Sequence, residues 1–319
     1  MVKRIFFITV LVIGSMMAIY AWRSICNGFN LFDSEQVAKI NTSVPAMEKA
    51  ELAKKKAAWE ILKNSVEREL KGFDGTAGVV IKDLDRNWEI VSNENARIPS
   101  ASMVKIPIMM AYLYAANEGS IDLQSRIKLT SKAKSPGSGL LKNTSAGTQI
   151  SIEELISLMI THSDNTAANV LISRLGFDAL NGYFVRMGLR QTNLVRKMMD
   201  FRLRKQGVEN YTTAAEMAYL LEKMYRDQFL SAAISRKGLE ILAGQKVNDR
   251  IPKKLPGGTT VAHKTGLEDG LCHDAGIVYT DKGNFLICVL TKHMYKNASA
   301  AKSLIATISL FTYVYHNGG

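Results

Sequence analysis

The sequence predicts an α/β (α+β) fold: an antiparallel sheet built from both ends of the domain, with flanking helices and an all-helical subdomain. Strand-like runs occur near residues 75–91 and again between residues 259 and 290, whereas helical periodicity dominates the interval between them. A chain of 319 residues has room for a sizeable core, so the two groups of strands can meet in one sheet.

The first group of strands has the pattern of a hairpin. Residues 75–84 alternate in part between apolar and other side chains, the turn residues 85–87 follow, and a second short run covers residues 88–91. Before the hairpin, residues 48–70 carry apolar side chains at helical spacing. This stretch predicts a helix that packs against the core.

Helix signals fill the middle of the chain. An apolar run from Ser102 to Ala116 predicts a helix that ends near Gly119. Capping boxes at Ser151 and Thr213 each have a glutamate three residues later and predict two further helix starts. Residues 166–175 and 231–242 show the same periodicity, and residues 120–150 are rich in turn formers.

The second group of strands lies near the carboxyl end. Strand patterns cover residues 259–264, 275–280 and 285–290, with turn residues at 281–284. An apolar helix is predicted over residues 298–315.

The amino end carries a hydrophobic segment. After a tip at residues 1–4, an uncharged run begins at Ile5 and ends at Trp22, near the minimum for a membrane-spanning helix. Lys3 and Arg4 favour a cytoplasmic amino terminus. We expect a single-pass anchor in the cell membrane, a linker at residues 23–45 and a folded domain at 46–319 on the extracytoplasmic side. A cleaved signal segment, with secretion, is the alternative.

Composition excludes some classes of partner. The formal charge is +12, yet the lysines are spread along the chain rather than interleaved with aromatic residues, so no nucleic-acid partner is expected. The charge indicates a solvated surface, with attraction to a membrane or wall polymer as a secondary role. The three cysteines, Cys26, Cys272 and Cys288, form no disulfide framework and have no metal-ligand spacing.

Three short polar motifs stand in the folded domain. Ser102 and Lys105 are one helical turn apart and would project together from a helix start, beside free backbone N–H groups. That arrangement can activate a serine nucleophile next to an oxyanion site. The second motif, Ser-Asp-Asn at 163–165, lies between two predicted helices, and the third, Lys-Thr-Gly at 264–266, ends a predicted strand.

In this order, the three motifs resemble those of the active-site serine β-lactamases and penicillin-binding proteins. Residues 161–169 are similar to the class A form of the second motif, and residues 210–214 to the segment after the Ω-loop. The resemblance covers residues 46–319. It implies a β-lactamase/transpeptidase-like fold, a β-lactam or D-Ala-D-Ala-type peptide as substrate, a monomer, and no metal or other cofactor.

The resemblance also assigns roles in acyl transfer. Ser102 would attack the acyl carbonyl, and Lys105, once its pKa is lowered by burial, would accept the serine proton. Ser163 would relay a proton to the leaving nitrogen. Asn165 would bind the acyl side chain of the substrate and help to fix Lys105.

The third motif would hold the substrate. Lys264 would supply positive charge for a substrate carboxylate, with the Thr265 hydroxyl beside it. Gly266 would let the substrate lie against the strand edge. The backbone N–H groups of Ser102 and Leu267 would form the oxyanion hole, as in the family.

The sequence departs from the class A pattern at one position. Class A enzymes carry a glutamate on the Ω-loop that activates the deacylating water, but residues 194–202 contain none. Asp200 is the nearest carboxylate and is the candidate base. The competing interpretation places it in a structural salt bridge with Arg196, Arg202 or Arg204.

Three hypotheses therefore remain open. The first is a class A-like β-lactamase that turns over with Asp200 or another base. The second is a penicillin-binding or D-Ala-D-Ala peptidase-type enzyme of peptidoglycan with slow deacylation. The third is a non-catalytic wall-binding or sensor module.

Overall fold

The computed structural model describes residues 34–294 and 297–318. Its first helix, α1 (Ser34–Lys71), begins earlier than the predicted residue 48, so the part of the predicted linker from Ser34 onward is helical. The predicted membrane segment at residues 5–22 lies outside the described residues. Within the described part of the chain, no helix is long and apolar enough to cross a bilayer. The description below concerns the compact unit that begins at Ile61.

A five-stranded antiparallel sheet is built from both ends of this unit, as predicted. The strands of its first group are β1 (Thr76–Asp83) and β2 (Trp88–Ser92). Its second group contains β7 (Val261–Glu268), β8 (Leu271–Val278) and β9 (Phe285–Lys292). The spatial order is β2-β1-β9-β8-β7, with Val79 opposite Val289 where the two groups join. Strand β7 therefore lies at one edge of the sheet.

The helical elements occupy the interval between the two strand groups. They are α2 (Lys105–Asn117), α3 (Ile152–Thr161), α4 (Asn165–Leu175), α5 (Phe177–Arg186), α6 (Phe201–Lys205), α7 (Ala214–Tyr225) and α8 (Ala232–Ala243). Four 3₁₀ turns accompany them, at Ala101–Val104, Ser131–Ala133, Leu141–Asn143 and Ile251–Lys254. Two-stranded ladders pair β3 (Ile98–Pro99) with β6 (Tyr211–Thr212) and β4 (Arg126–Lys128) with β5 (Gln149–Ser151). The last helix, α9 (Ser299–Asn317), follows the sheet.

Both predicted capping boxes are helix starts. The Ser151 hydroxyl accepts the Glu154 N–H at 3.1 Å before α3, and the Thr213 hydroxyl accepts the Glu216 N–H at 3.1 Å before α7. Each cap satisfies a backbone donor that the helix itself leaves open. Helix α2 is buried along most of its length, because its apolar residues face the core on all sides.

Several elements differ from the sequence prediction, among them α5, β7 and β8. Helix α5 was not predicted; its buried residues Leu180 and Phe184 are spaced four apart. Strand β7 does not end at Lys264 but continues to Glu268, and β8 already begins at Leu271. The tight turn at Gly270 joins them with a φ of 74°, and a side chain there would lie 2.8 Å from the His293 carbonyl oxygen. The Lys-Thr-Gly motif is therefore inside an edge strand.

Candidate active site

The nucleophile motif begins on a tight turn. Ala101 has a left-handed φ of 44°, and Ser102 follows in the 3₁₀ turn Ala101–Val104. The sequence predicted Ser102 at the start of the helix. The α-helix itself starts at Lys105, so Ser102 precedes it. This turn leaves Ser102 partly exposed, whereas Lys105 is fully buried.

The second motif joins α3 to α4 through a strained residue. Ser163 has a φ of 51°, a conformation that is uncommon for a residue other than glycine. Asp164 fixes the bend: its Oδ1 caps α4 by accepting the Ala167 N–H at 2.9 Å. Its Oδ2 accepts the N–H groups of Leu140 and Leu141 at 2.6 and 2.8 Å. Asp164 is thus structural.

The third motif lies on β7, against the turn that carries Ser102. A Cβ atom on Gly266 would approach Ala101 Cβ to 3.4 Å and His273 Cδ2 to 3.0 Å. A side chain at this position would therefore crowd His273 on the neighbouring strand β8 and fill the space next to Ala101. Thr265 follows Lys264 in the strand and is buried, and Leu267 is half exposed.

Hydrogen bonds join the three motifs around Ser163. The Lys105 ammonium donates to the Ser163 carbonyl at 2.7 Å, to Asn165 Oδ1 at 2.8 Å and to Ser163 Oγ at 3.3 Å. From the other side, Lys264 Nζ lies 3.0 Å from Ser163 Oγ and 2.8 Å from the Thr265 carbonyl oxygen. We call Lys105 and Lys264 the lysine pair. The Ser163 hydroxyl lies between their amines and can pass a proton in either direction.

Burial shifts both lysines toward the neutral amine. It lowers the pKa of Lys105 to about 7, against partial opposition from the charges of Asp164 and Glu268. Burial, followed by the nearby Lys105 charge, also holds the pKa of Lys264 well below its ordinary value. A buried amine can accept a proton at neutral pH, whereas an exposed one cannot.

A cavity of about 500 Å³ opens in front of Ser102. The predicted site residues Ser102, Asn165 and Leu267 line it, together with eleven others. These are Gly137, Ser138, Met198, Met199, Phe201, Arg204, Glu268, Asp269, Asn297, Ala298 and Lys302. The loop before α6 and the first residue of α6 therefore provide one side of the cavity with two methionines and an aromatic ring. Its volume suits a small ligand.

Asp200 caps a helix. Its Oδ1 accepts the Leu203 N–H at 3.1 Å at the start of α6. Its neighbours Met199 and Phe201 line the cavity, but Asp200 is not among the lining residues. The alternative, a salt bridge from Asp200 to Arg196, Arg202 or Arg204, is not formed among the described residues: Arg196 and Arg204 pair with Glu209 and Glu268 instead.

Those carboxylates belong to a ring of four alternating charges that the sequence analysis missed. Arg196 lies 2.7 Å from Glu209 and 3.4 Å from Glu268, and Arg204 lies 3.3 Å from Glu209 and 2.9 Å from Glu268. We call these four residues the ion-pair ring. Glu268 is in β7, so the ring ties the loop with Met198 to the strand with Lys264. In the sequence, these four charged residues are separate positions, and nothing in their spacing predicts that they pair.

Arg250 is a second residue that sequence reasoning missed. Its side chain is 1% exposed; its guanidinium pairs with Asp249 at 2.9 Å, and its Nε donates to Cys272 Sγ at 3.2 Å. Its charge helps to depress the pKa of Lys264. Arg250 therefore adds to the positive potential behind the third motif. Cys272 and Cys288 are buried free thiols, and no group of His, Cys, Asp and Glu side chains in the described residues could hold a metal ion.

Comparison with known proteins agrees with this geometry. The sequence profile of the β-lactamase enzyme family matches residues 60–315. The chain belongs to this family. It is a serine hydrolase that acts on β-lactams, and its relatives and structural neighbours include class A β-lactamases.

Several relatives align over most of both chains. The extended-spectrum β-lactamase PER-1 of Pseudomonas aeruginosa is 26% identical over 277 residues, which is 80% of this chain and 87% of PER-1. A β-lactamase of Bacteroides uniformis is 26% identical over 271 residues, which is 79% of this chain and 90% of that one.

Two solved structures have the same TM-score. A β-lactamase from Sphaerobacter thermophilus DSM 20745 superposes with a TM-score of 0.74 and 30% identity, covering 82% of this chain and 98% of that one. PBP-A superposes with a TM-score of 0.74 and 29% identity, covering 81% of this chain and 96% of that one. An L158E mutant of PBP-A has been solved as an acyl-enzyme complex with penicillin G.

Proposed function

We propose that this protein opens β-lactam rings through an acyl-enzyme on Ser102 and releases the acyl group slowly. The observation that carries the proposal is the hydrogen-bonded junction of Lys105, Ser163 and Lys264 beside a cavity that Ser102 lines. The remaining steps follow from the chemistry of these groups.

Acylation begins with proton transfer from Ser102. Lys105 is the base, because burial leaves a large fraction of its amine neutral at pH 7. The serine oxygen then attacks the ring carbonyl and the amide bond breaks. Backbone N–H groups of Ser102 and Leu267 stabilise the oxyanion.

The leaving nitrogen takes its proton from Ser163. This hydroxyl contacts both amines of the lysine pair, so the proton that Lys105 accepted can replace the one that Ser163 gives away. A substrate carboxylate next to Lys264 favours the charged ammonium and raises its depressed pKa. Substrate binding thus restores the cation that anchors it.

Release of the acyl group needs an activated water. Among the described residues that line the cavity, the carboxylates are Glu268 and Asp269. Glu268 is held by two arginines, and the loop side of the cavity presents Met198, Met199 and Phe201. A general base must be within hydrogen-bond reach of its water. The free carboxylate that rapid hydrolysis requires has no counterpart on this side of the cavity.

A D-Ala-D-Ala peptidase is the second candidate, and the same methionine-lined wall favours it. A long-lived acyl-enzyme is compatible with processing of a peptide substrate that the cell supplies continuously. PBP-A, one of the structural neighbours, is similar to 81% of this chain.

The test is incubation of the protein, from about residue 45, with a chromogenic β-lactam while mass and colour are followed. Addition of one acyl group, abolished in Ser102→Ala, supports the serine mechanism. A transient adduct with steady colour identifies a β-lactamase. A persistent adduct that decays slowly with release of the opened β-lactam supports the proposal. Cleavage of a D-Ala-D-Ala peptide identifies the peptidase, and an adduct that does not decay, without peptide cleavage, leaves a binding or sensor module. No adduct with the unsubstituted protein would refute the proposal.

We also propose that the folded domain is exported and anchored in the cell membrane by residues 5–22. The length and lack of charge of that run support the proposal. A fusion of residues 1–45 to a phosphatase that folds only outside the cytoplasm tests it. An active, membrane-bound fusion is expected; a soluble, inactive one would contradict the proposal, and a shed active one would indicate a cleaved signal segment.

A further inference from the structure

A second cavity, of about 340 Å³, shares two wall segments with the catalytic cavity. Ser135 and Lys197 line the second cavity, whereas Gly137 and Met198, a little further along the same segments, line the first. Asn169 also lines the second cavity, and its side-chain amide donates to the Met198 carbonyl at 3.0 Å. The two cavities are therefore adjacent but have separate linings.

The second cavity is lined by four cations and no carboxylate. Lys128 comes from β4, Lys132 from a 3₁₀ turn, Arg174 from α4 and Lys197 from the loop before α6. Among the described residues, none of the four forms an ion pair, in contrast to the arginines of the ion-pair ring. Like charges that converge on one cavity repel each other, and a bound anion relieves that repulsion. We call this basic cavity the cation pocket.

The donors of the cation pocket match a phosphate group. Lysine ammonium and arginine guanidinium groups both bind phosphate oxygens. Thr130 also lines the pocket; its Oγ1 accepts the Ala133 N–H at 3.2 Å, so its own O–H remains available as a donor. A volume of about 340 Å³ has room for a phosphate group. A compact anion with several acceptor oxygens fits these donors.

We infer that the cation pocket is a phosphate-binding site, separate from the catalytic cavity. Its ligand is either free inorganic phosphate or a phosphate group within a phosphodiester polymer. Both ligands present phosphate oxygens to the four cations. They differ because the polymer continues beyond the pocket, whereas inorganic phosphate does not.

The test is calorimetric titration of the full folded domain with inorganic phosphate, at an ionic strength held constant with chloride. Lys128→Gln combined with Lys132→Gln removes two pocket cations that are exposed and do not stabilise the core. Lys63→Gln combined with Lys71→Gln removes the same charge from exposed positions on α1 and is the matched control. We expect one site per chain, weakened at least tenfold in the pocket variant and unchanged in the control.

Three outcomes would overturn the inference. Equal weakening in both double variants would mean that phosphate responds only to net charge, and absence of saturable binding would mean that the pocket does not hold it.

A third arm excludes the catalytic cavity: Lys264→Met should bind phosphate as tightly as the unsubstituted protein. Loss of binding in that variant, with its melting curve intact, would place the phosphate beside Ser102 and refute the assignment. A short poly(glycerol phosphate) chain is titrated in parallel. Tighter binding of this chain identifies a phosphodiester polymer as the ligand, and tighter binding of inorganic phosphate identifies free phosphate.

Discussion

The lysine pair and the ion-pair ring bury positive charge in opposite ways. In the ring, Arg196 is 2% exposed and lies within 3.4 Å of two carboxylates, so its charge is neutralised by partners. Lys105 and Lys264 are fully buried, but their near contacts are hydroxyl, amide and carbonyl oxygens. Their charge is reduced by loss of a proton instead. A cation with carboxylate partners holds the structure, and a cation without them can do acid–base chemistry.

The strongest test of this difference is substitution of Lys105. Lys105→Met removes the base and should slow acylation of Ser102 by about 100- to 10,000-fold in stopped-flow experiments with a chromogenic β-lactam. Lys105→Arg is the matched control: it keeps a positive charge but cannot give up its proton. Both variants should be equally slow. Activity retained in Lys105→Arg would mean that charge, not proton transfer, is what the site needs.

A carboxylate on the loop side of the catalytic cavity should change the slow step. The Met198 backbone is held at both its N–H and its carbonyl by Asn169, at 2.8 and 3.0 Å. Met198→Glu would therefore place a carboxylate in the wall that now lacks a free one, and we expect deacylation to accelerate at least about tenfold. Met198→Gln has the same shape without the base and should not accelerate it. Mass spectrometry of the adduct over time gives both rates.

Loss of a carboxylate from the ring should cost stability. Glu209→Gln leaves the buried Arg196 with one partner fewer, and we expect the free energy of unfolding to fall by about 3 kcal/mol. Urea denaturation measures the change. Glu118→Gln, at the exposed pair with Arg186, is the control and should produce no measurable change. A similar loss in both variants would remove the distinction between buried and exposed pairs.

The pH dependence of acylation should report the lysine pair. Protonated Lys105 cannot act as a base, so the second-order rate constant should rise with pH through a midpoint near 7 and then level off. The Glu268 charge raises the pKa of Lys105. Glu268→Gln should therefore move the midpoint to lower pH, by less than about one unit. A midpoint that stays in place or moves upward would show that the ring does not act on the lysine through its charge.

The same lysine predicts how stability depends on pH. Its folded-state pKa of about 7 is below its ordinary value of 10.5, so between these values the unfolded chain binds more protons. The contribution of Lys105 to stability therefore rises with pH across this window and is constant above it.

The smallest effect is expected at Asp200. Asparagine is as good a helix cap as aspartate, so Asp200→Asn should leave both stability and deacylation unchanged, whereas Asp200→Ala should destabilise the fold by about 1 kcal/mol. Slower deacylation in Asp200→Asn, with acylation unaffected, would instead support the role of Asp200 as the base. Thermal melts and adduct lifetimes of the two variants decide between a cap and a base.

Local signals in the sequence predicted most of the fold. Ser151 and Thr213 predicted helix starts, because each capping hydroxyl and the backbone N–H that it accepts are only three residues apart. The alternating strands at both ends predicted the sheet. The extension of β7 beyond Lys264 was missed, because Gly266, Glu268 and Gly270 weaken the strand pattern, and only pairing with β8 shows that the strand continues.

The candidate site likewise contains residues that short motifs predict and residues that only the tertiary fold brings together. Ser102, Lys105, Ser163 and Lys264 could be named from short motifs. The ion-pair ring could not, because Arg196 and Glu268 are 72 residues apart and their pairing depends on the tertiary fold. Asp200 was considered as a base because its type and position in the loop suit that role, while the direction of its side chain was unknown.

The order of the strands in the sheet also determines when, during synthesis of the chain, the active site can form. Strand β1 pairs along its whole length with β9, its partner more than 200 positions later in the chain. Such a distant pairing closes a long loop and slows folding. Because β7 and β8 are held in the sheet through β9, Lys264 reaches Ser163 only after β9 has been made and paired. A growing chain that has been made only as far as β8 therefore carries its serine without the means to use it.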